Sequence, residues 1–208
     1  MAATIQTTSK PLHPRVSDTS GNNNHGTAYT GQALEFDGVS DYINAGTGVD
    51  LGTGDFTIST WVYLNAIGAD ENLFYKKEDS NNRWYFNINS AGKLAFWSKA
   101  TSIQIYETGD TTLEANTWYR VVVSADRDSS IKLYVNGVLD GPGSADSDDI
   151  DNDGDLAIGK NGTAGNTYVD GMMSDAQIWD AAWTQSDVTY DYLNPEKLVL
   201  DNSGTSLT

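Results

Sequence analysis

The sequence predicts an all-β domain in which two antiparallel sheets pack face to face. Three observations lead to this prediction. Short runs of alternating apolar and polar residues recur along the chain, turn-forming residues separate them, and only one stretch carries a helix signature. Aromatic residues make up 11% of the 208 residues, so a large core can be filled. About a dozen short strands are too many for one flat sheet, and we therefore expect a sandwich.

The N-terminal part begins with two segments of weak strand character. Residues 1–17 are mostly polar, contain Pro11 and Pro14, and predict an extended arm. Residues 18–26 are nearly all turn formers and predict a loop. Strand-like runs follow at residues 33–36, 41–45 and 55–64.

The middle of the chain continues the same pattern. The runs at 84–89 and 93–98 flank a short turn segment and predict a hairpin. Asn136-Gly137 is a strong signal for a two-residue turn between strands. Further strands are expected at residues 72–76, 103–106, 117–125 and 131–135.

The C-terminal part holds the only helix signature. Residues 140–155 are rich in Gly and Asp and predict a loop, and strands are expected at 156–159 and 171–179. Thr184 and Asp187 have the spacing of a helix N-cap, with Asp in the usual Glu position, and predict a short helix to about Leu193. The predicted organisation is an arm at 1–17, one domain at 18–194 and a tail at 195–208.

Composition excludes several classes of function. The formal net charge is −17, which opposes binding to nucleic-acid phosphates and to anionic membranes. This charge is explained either by solubility or by binding of divalent cations. The chain has no Cys, so disulfides and thiolate metal sites are excluded. We find no apolar segment of the kind that a signal peptide or a transmembrane helix requires.

Seven segments occur in a set order along the chain. They are Asp18-x-Ser-Gly-Asn-x-Asn-His-Gly26, Ala33-Leu-Glu-Phe-Asp-Gly38 with Asp41-Tyr42, Phe56-Thr-Ile-Ser-x-Trp61-Val62, Trp118-Tyr-Arg-Val-Val-Val123, Leu133-Tyr-Val-Asn-Gly137, Leu156-Ala-Ile-Gly159 and Gly171-Met-Met-Ser-Asp-Ala-Gln-Ile-Trp179. Together they resemble laminin-G-like jelly-roll domains of the concanavalin A-like type.

The resemblance runs from about residue 18 to 194 and implies an antiparallel jelly roll, often with a calcium ion. Such domains bind glycans or proteins or serve as structural modules, although some relatives are glycoside hydrolases. The residues from Tyr192 onward are similar to tails in marine bacteriophage structural proteins.

No catalytic constellation is predicted. The related hydrolases carry Glu-x-Asp-x-x-Glu on one strand, and the nearest run here, from Glu35 through Asp37 to Ser40, lacks the last carboxylate. His13 and His25 are the only histidines and both precede the strands, so a Ser/His/Asp set would require His25 to fold back over them. We therefore expect a protein that is not an enzyme.

One candidate calcium site lies in the acidic loop. Asp149, Asp151, Asp153 and Gly154 match the opening of a calcium-binding loop, in which oxygen side chains alternate. Lys160 stands where the closing Glu is expected, so a solvated acidic loop is the alternative interpretation.

The resemblance implies a second calcium site, where the N-terminal loop meets the last strand. The matching residues are Asp18, Asp37 and Asp175, and carboxylates suit calcium as hard oxygen ligands. The alternative is that these side chains cap turns. A calcium ion at this site would have a structural role.

A set of aromatic and amide residues is predicted on an outer sheet face, because alternation places it opposite the core residues. Rings beside amides suit sugars, since the rings contact pyranose C–H groups and the amides bind hydroxyls. The same set also suits a neighbouring protein, or is covered by loops of the chain itself. The residues are Trp61, Tyr63, Tyr85, Asn87, Trp97 and Tyr106.

These observations lead to three functional hypotheses. The first is a non-catalytic binding or structural module of a virus particle, such as an appendage, fibre or capsid decoration, as part of a larger assembly. Its partners would be virion proteins, cell-surface glycans or both. The second is a free carbohydrate-binding lectin module in an extracellular location. The third, which we favour least, is a glycoside hydrolase.

Overall fold

The computed structural model describes residues 15–16, 26–27, 33–100, 103–144, 148–160 and 167–195, which contain fourteen strands and one helix. The strands of the first half are β1 (Arg15–Val16), β2 (Gly26–Thr27), β3 (Leu34–Asp37), β4 (Ile43–Asn44), β5 (Phe56–Leu64), β6 (Glu71–Lys77), β7 (Asn82–Ile88) and β8 (Lys93–Ala100). Those of the second half are β9 (Ile103–Thr112), β10 (Trp118–Asp126), β11 (Ser130–Val135), β12 (Val138–Pro142), β13 (Leu156–Ile158) and β14 (Asp170–Trp179), followed by the helix α1 (Gln185–Leu193).

Twelve of these strands form two six-stranded antiparallel sheets. Sheet I has the order β12-β11-β10-β5-β14-β3, and sheet II has the order β4-β13-β6-β7-β8-β9. The remaining two, β1 and β2, pair with each other, so that the predicted arm includes a short strand. The predicted two-sheet sandwich is confirmed.

The core lies between the inner faces of the two sheets. Phe56 and Ile58 of β5 are almost fully buried, as are Phe86 and Phe96 of sheet II. The rings of Phe56 and Phe96 meet across the interface with their centroids 5.5 Å apart. Burying a side chain of this size contributes about 2 to 3 kcal/mol, so the alternation that selects these residues also holds the sheets together.

The predicted hairpin turns are present. Asn136 and Gly137 both have positive φ, of 50° and 81°, as a two-residue turn between twisted strands requires. This turn places Val135 opposite Val138, which joins β11 to β12. The predicted hairpin of β7 and β8 is paired along its whole length.

Strand β12 differs from the prediction, which assigned residues from 140 onward to a loop. Gly141 and Pro142 weaken a strand signal, and Pro cannot donate a hydrogen bond to a sheet. In the structure β12 is the edge strand of sheet I and pairs only with β11. An edge position needs hydrogen bonds on one side alone, so the proline is tolerated there.

Helix α1 covers part of the outer face of sheet I. Its predicted N-terminus is confirmed, because Thr184 and Asp187 form a reciprocal capping box. Val188 of the helix is fully buried and belongs to a second apolar cluster, outside the main core, with Val122, Tyr134, Trp179 and Trp183. Within the described ranges, no helix has the length and apolar character needed to cross a membrane.

Candidate functional site

The six residues predicted to form a binding face lie on two different sheets. Trp61 and Tyr63 lie on β5 in sheet I, whereas Tyr85, Asn87, Trp97 and Tyr106 lie on β7, β8 and β9 in sheet II. The expectation of one common face is thereby corrected. Alternation along a strand separates inward from outward residues, but it does not reveal to which sheet a strand belongs.

On sheet I, the outer aromatic residues already have neighbours within the chain. The Trp61 ring lies 5.8 Å from the ring of Tyr192 on α1. The Tyr63 ring lies 5.6 Å from that of Trp118, and the Tyr63 hydroxyl donates to Asn116 Oδ1 at 3.2 Å. Much of this face therefore serves to hold the C-terminal segment.

A buried ion pair fixes the helix on this face. Arg120 donates from Nε and Nη2 to the two carboxylate oxygens of Asp191, at 2.6 and 2.7 Å, and both side chains are fully buried. Arg120 also donates to the Asp175 carbonyl and to Ser59 Oγ, both at 2.9 Å. Burial raises the pKa of Asp191, and the bonds from Arg120 oppose that rise.

Sheet II carries four aromatic rings in a row on its outer face, which we call the aromatic ladder: Tyr75, Tyr85, Trp97 and Tyr106. Each ring lies directly opposite the next on neighbouring strands, from β6 to β9. The ring centroids of Tyr75 and Tyr85 are 6.1 Å apart, and those of Tyr85 and Trp97 are 5.0 Å apart. Aligned rings on adjacent strands stabilise a sheet by up to about 1 kcal/mol per pair.

The inner rings of the aromatic ladder stand on edge. Tyr85 and Trp97 are nearly parallel, with an interplanar angle of 9°, so they face each other rather than solvent. Trp97 is only 5% exposed, while Tyr106 at the sheet edge is 51% exposed. Burial raises the pKa of Tyr85 to about 12, so its hydroxyl stays protonated at neutral pH. The ladder thus presents one open ring, from Tyr106, whereas Tyr75 at its other end is 3% exposed and has a buried hydroxyl.

Amide side chains flank one side of the aromatic ladder. Asn72 and Asn87 lie opposite each other on β6 and β7, and both are buried. Their Oδ1 atoms have no hydrogen-bond partner among the described residues. Asn89, at the turn beyond β7, donates from Nδ2 to the Tyr106 hydroxyl at 3.2 Å. Buried amide oxygens without partners are uncommon in folded proteins, and these two mark a place where the sheet leaves polar groups unsatisfied.

Cationic side chains flank the other side of the ladder. Lys77, Arg83 and Lys99 lie opposite one another on β6, β7 and β8, one alternate residue away from the aromatic rings. The Arg83 guanidinium carbon lies 4.6 Å from the centre of the Trp97 ring. We call these three residues the cationic row. No local sequence pattern reveals the cationic row, because its residues lie on three strands and only strand pairing aligns them.

Glu71 is a buried acid with a raised pKa, and no local sequence pattern singles it out. It lies opposite the core residue Ile88 at the start of β6, and it is 8% exposed. Burial raises its pKa to about 7, and the nearby charge of Asp170 on β14 adds to the rise. Glu71 therefore faces the inside of the sandwich and not the aromatic ladder.

The calcium site implied by the family resemblance is not assembled by the described residues. Asp18 lies outside them. Asp37 Oδ1 accepts the backbone N–H groups of Val39, Ser40 and Asp41, which lower its pKa to about 2 and rule it out as a proton donor. Asp175 contacts the Arg120 guanidinium at 3.1 Å and lies five residues along β14 from Asp170, the partner of Asp37 in the sheet.

The acidic loop has turn-capping bonds of its own. Asp149 Oδ1 accepts the N–H of Asp151, and Asp151 Oδ1 accepts that of Gly52 at 2.6 Å. Asp153 is exposed. Within the part of the chain that the structure describes, no three acidic or histidine side chains come close enough together to hold a metal ion. Calcium binding stays a prediction at this loop and at the site of Asp18, Asp37 and Asp175.

Comparisons with solved structures find the same fold. A native heptameric SAP-like pentraxin from Limulus polyphemus is 18% identical, with a TM-score of 0.59 over 77% of this chain and 81% of the pentraxin. Domain 4 of the arabinanase AbnA from Geobacillus stearothermophilus, solved with arabinotriose, is 20% identical, with a TM-score of 0.53 over 81% of this chain and 77% of the other. The enzymatically active domain of bacteriophage CBA120 tailspike protein 2 is 14% identical, with a TM-score of 0.62 over 83% of this chain and 28% of the tailspike chain.

Comparison of the sequence with protein families gives the assignment. No curated protein matches the chain significantly. One family model, described as the concanavalin A-like lectin/glucanases superfamily, matches residues 37–189, which is more than half of the 208 residues. That match covers both six-stranded sheets from the end of β3 to helix α1. The chain belongs to the concanavalin A-like lectin/glucanases superfamily.

Proposed function

We propose that this chain is a non-catalytic glycan-binding module and that sugars bind on the outer face of sheet II. The observation that carries the proposal is the aromatic ladder, aligned across four strands beside the partnerless oxygens of Asn72 and Asn87. Aromatic rings and amides are the groups that recognise the apolar faces and the hydroxyls of sugars.

The geometry assigns different tasks to the members of this face. Tyr106, which is half exposed, offers its ring to the C–H face of a sugar. Tyr85 keeps its hydroxyl as a donor, and the buried amides of Asn72 and Asn87 would turn outward to accept from sugar hydroxyls. Trp97 supports these groups by stacking against Tyr85.

The two rings on sheet I suit this role less well. Trp61 packs against Tyr192 of α1, and Tyr63 packs against Trp118. Of the alternatives left open by the sequence, coverage by the chain itself therefore fits Trp61, and glycan binding fits Tyr85, Asn87, Trp97 and Tyr106.

The related structures are consistent with a binding role. The arabinanase domain was solved with arabinotriose, and a carbohydrate-binding module of a Ruminococcus gnavus sialidase, 14% identical with a TM-score of 0.60, was solved with sialyllactose. These ligands belong to those proteins. They support the view that domains of this fold bind oligosaccharides, and the choice of surface here rests on the aromatic ladder.

A glycan array tests the proposal. The protein should bind at least one oligosaccharide class, and Tyr106→Ala should weaken that binding about tenfold, because it removes the open ring. Tyr190→Ala is the matched control: Tyr190 is 43% exposed on α1, and its loss should leave binding unchanged. An array without any bound glycan, or equal losses in the two variants, would count against a sugar site on sheet II.

The non-catalytic part of the proposal rests on the position of Glu71. With a pKa of about 7 it has the protonation behaviour of a general acid, but it lies on the inner face opposite Ile88, away from the aromatic ladder. We expect no release of reducing ends from any glycan that binds, measured between pH 4 and 8. Turnover that Glu71→Gln abolished would identify a hydrolase instead.

We further propose that the module works on a bacteriophage particle. The similarity of its C-terminal residues to tails of phage structural proteins supports this location, as does the shared fold with a phage tailspike domain. Mass spectrometry of purified virions that encode the chain should detect it in stoichiometric amounts. Its presence only in the particle-free fraction would favour a free lectin module.

A further inference from the structure

We propose that the glycan is acidic and that its carboxylate or sulfate group binds the cationic row formed by Lys77, Arg83 and Lys99. This inference rests on the proposed sugar site and names the class of sugar that the site selects. The sugar ring would lie at the aromatic ladder, with its anionic group toward the cationic row and its hydroxyls toward the amides.

The cationic row clusters three positive charges in a protein that is otherwise strongly acidic. The chain has only 12 Lys and Arg residues and a net charge of −17, yet three of these cations stand side by side on one face. Neighbouring strands lie about 5 Å apart, so the three charges span only about 10 Å. Like charges directly opposite each other destabilise a sheet, and a bound anion would remove that cost.

The carboxylates near the cationic row are too few to neutralise it. One acid beside it is Asp79, whose pKa is lowered mainly by the N–H groups of Asn81 and Asn82 and further by Lys77 and Lys99. Glu78, the exposed residue directly after Lys77, is a second acid beside the row, so three cations stand against two carboxylates. One positive charge is left uncompensated at this site. Lys99 is also held by Asn81 Oδ1, which accepts from its Nζ at 2.9 Å.

Arg83 is already positioned for an anion. Its guanidinium lies over the Trp97 ring, which restricts the side chain to one orientation. Arg83 also interacts with the Tyr75 hydroxyl and opposes the burial that raises the pKa of Tyr75. A carboxylate or sulfate would accept from the outer N–H groups of this guanidinium, since Nε itself is buried, and charge-assisted bonds of this kind are about twice as strong as neutral ones.

The two ends of the outer face of sheet II differ in charge, and this difference would fix the orientation of an acidic ligand. At the end opposite the cationic row, Asp70 accepts the N–H of Ser90, and its charge reaches Tyr85. The rest of the protein repels anions, but this repulsion is screened beyond about 8 Å at physiological salt. Binding should therefore depend on the cationic row at short range and weaken with added salt.

The test uses the full chain and matched pairs of oligosaccharides. Oligogalacturonate and its methyl ester differ by the carboxylate charge, and a sulfated galactan oligosaccharide and its desulfated form differ by the sulfate. Dissociation constants from calorimetry should be about tenfold lower for an acidic member than for its neutral counterpart, and the difference should shrink between 50 and 500 mM NaCl. Preference for either acidic member supports the inference and identifies the anionic group.

Charge-removing variants locate the anion. Lys77→Gln and Lys99→Gln should each weaken binding of the acidic sugar about three- to tenfold, with thermal unfolding curves close to those of the wild type. The control is Lys93→Gln, on the same strand and face as Lys99 but about 20 Å away, which should change binding less than twofold. Equal losses in Lys93→Gln and Lys99→Gln would overturn the inference.

The neutral sugars separate this inference from the proposed function. Binding of neutral and acidic members with equal affinity, weakened by Tyr106→Ala, would overturn the acidic preference and leave the sugar site in place. No binding by any of the four oligosaccharides, or by a wider array, would overturn both.

Discussion

The outer faces of the two sheets carry similar residues but are used differently. On sheet I, Trp61 and the cluster around Val122 lie under the C-terminal segment, and Arg120 is neutralised by Asp191 of α1. On sheet II the aromatic ladder has the cationic row on one side and buried amides on the other, and α1, the helix of the described chain, lies on the opposite sheet.

The difference lies in what each face contacts. On sheet I, Thr57 Oγ1 donates to the Ala181 carbonyl and Ser59 Oγ accepts from Arg120, so the C-terminal segment is bonded to this face. Both faces keep buried polar atoms without partners among the described residues, Trp61 Nε1 on sheet I and Asn87 Oδ1 on sheet II. The half-exposed ring of Tyr106 and the cationic row are found on sheet II alone, and they are the features suited to a ligand.

The largest effect on stability is expected from breaking the Arg120–Asp191 ion pair, which lies between α1 and the outer face of sheet I. Asp191→Ala removes the buried carboxylate of Arg120 and leaves it only the partly exposed Asp175, and we expect a loss of about 3 to 5 kcal/mol in the free energy of unfolding, measured with urea. Asp180→Ala, at an exposed position just before the helix, should change it by less than about 0.5 kcal/mol.

A double variant sharpens this comparison. Replacing Arg120 by Met and Asp191 by Leu should recover most of the stability, because neither charge then remains buried. A near-normal stability of Asp191→Ala would contradict the view that the helix is fixed by this pair.

The next effect concerns the ladder face. Trp97→Ala should cost about 3 kcal/mol, because the ring is 5% exposed and packs between Tyr85 and Arg83. Tyr106→Ala should cost less than about 1 kcal/mol, because that ring is half exposed. Trp118→Ala, the same substitution at a Trp on sheet I that is 37% exposed, is the control and should cost less than Trp97→Ala.

This prediction separates support from recognition within one face. Binding losses in Trp97→Ala would report unfolding as well as loss of contacts, whereas those in Tyr106→Ala report contacts alone. Equal destabilisation by the two ladder variants would show that the inner rings are not the supporting ones.

The smallest effect concerns Glu71, which links the two sheets by lying beside Asp170 of β14. Its pKa is raised from 4.5 to about 7 by burial, so the folded state retains a proton that the unfolded state releases between these values. The free energy of unfolding should therefore fall as the pH rises from 4.5 to 7, by roughly 2 kcal/mol, and Glu71→Gln should remove this fall.

Urea unfolding at pH 4.5, 6 and 8 measures the effect. Glu35→Gln, at an exposed position on β3, should retain the pH dependence of the wild type. A pH dependence that persists in Glu71→Gln would assign the titration to another group.

Local sequence patterns predicted most of the fold. The alternation around Phe56 and Ile58, the turn at Asn136-Gly137 and the capping box at Thr184 each involve neighbouring residues, and all three are confirmed. Strand β12 was missed because Pro142 argues against a strand. A strand at the edge of a sheet tolerates proline, but nothing in the local sequence reveals that a strand lies at an edge.

The candidate site was predicted only in part. Tyr85, Asn87, Trp97 and Tyr106 were selected from alternation, but the sequence could not show that Trp61 lies on the other sheet. Lys77 of the cationic row was missed, because only the pairing of strands brings it beside Arg83 and Lys99.

The sequence by itself determined which residues face the core and where the chain turns, since burial and turn geometry depend on a few adjacent residues. Only the tertiary structure decided which strands share a sheet and which outer face α1 covers. It also decided that Lys77, Arg83 and Lys99 stand together beside the aromatic ladder. These features depend on contacts between residues distant in sequence, which no short pattern encodes.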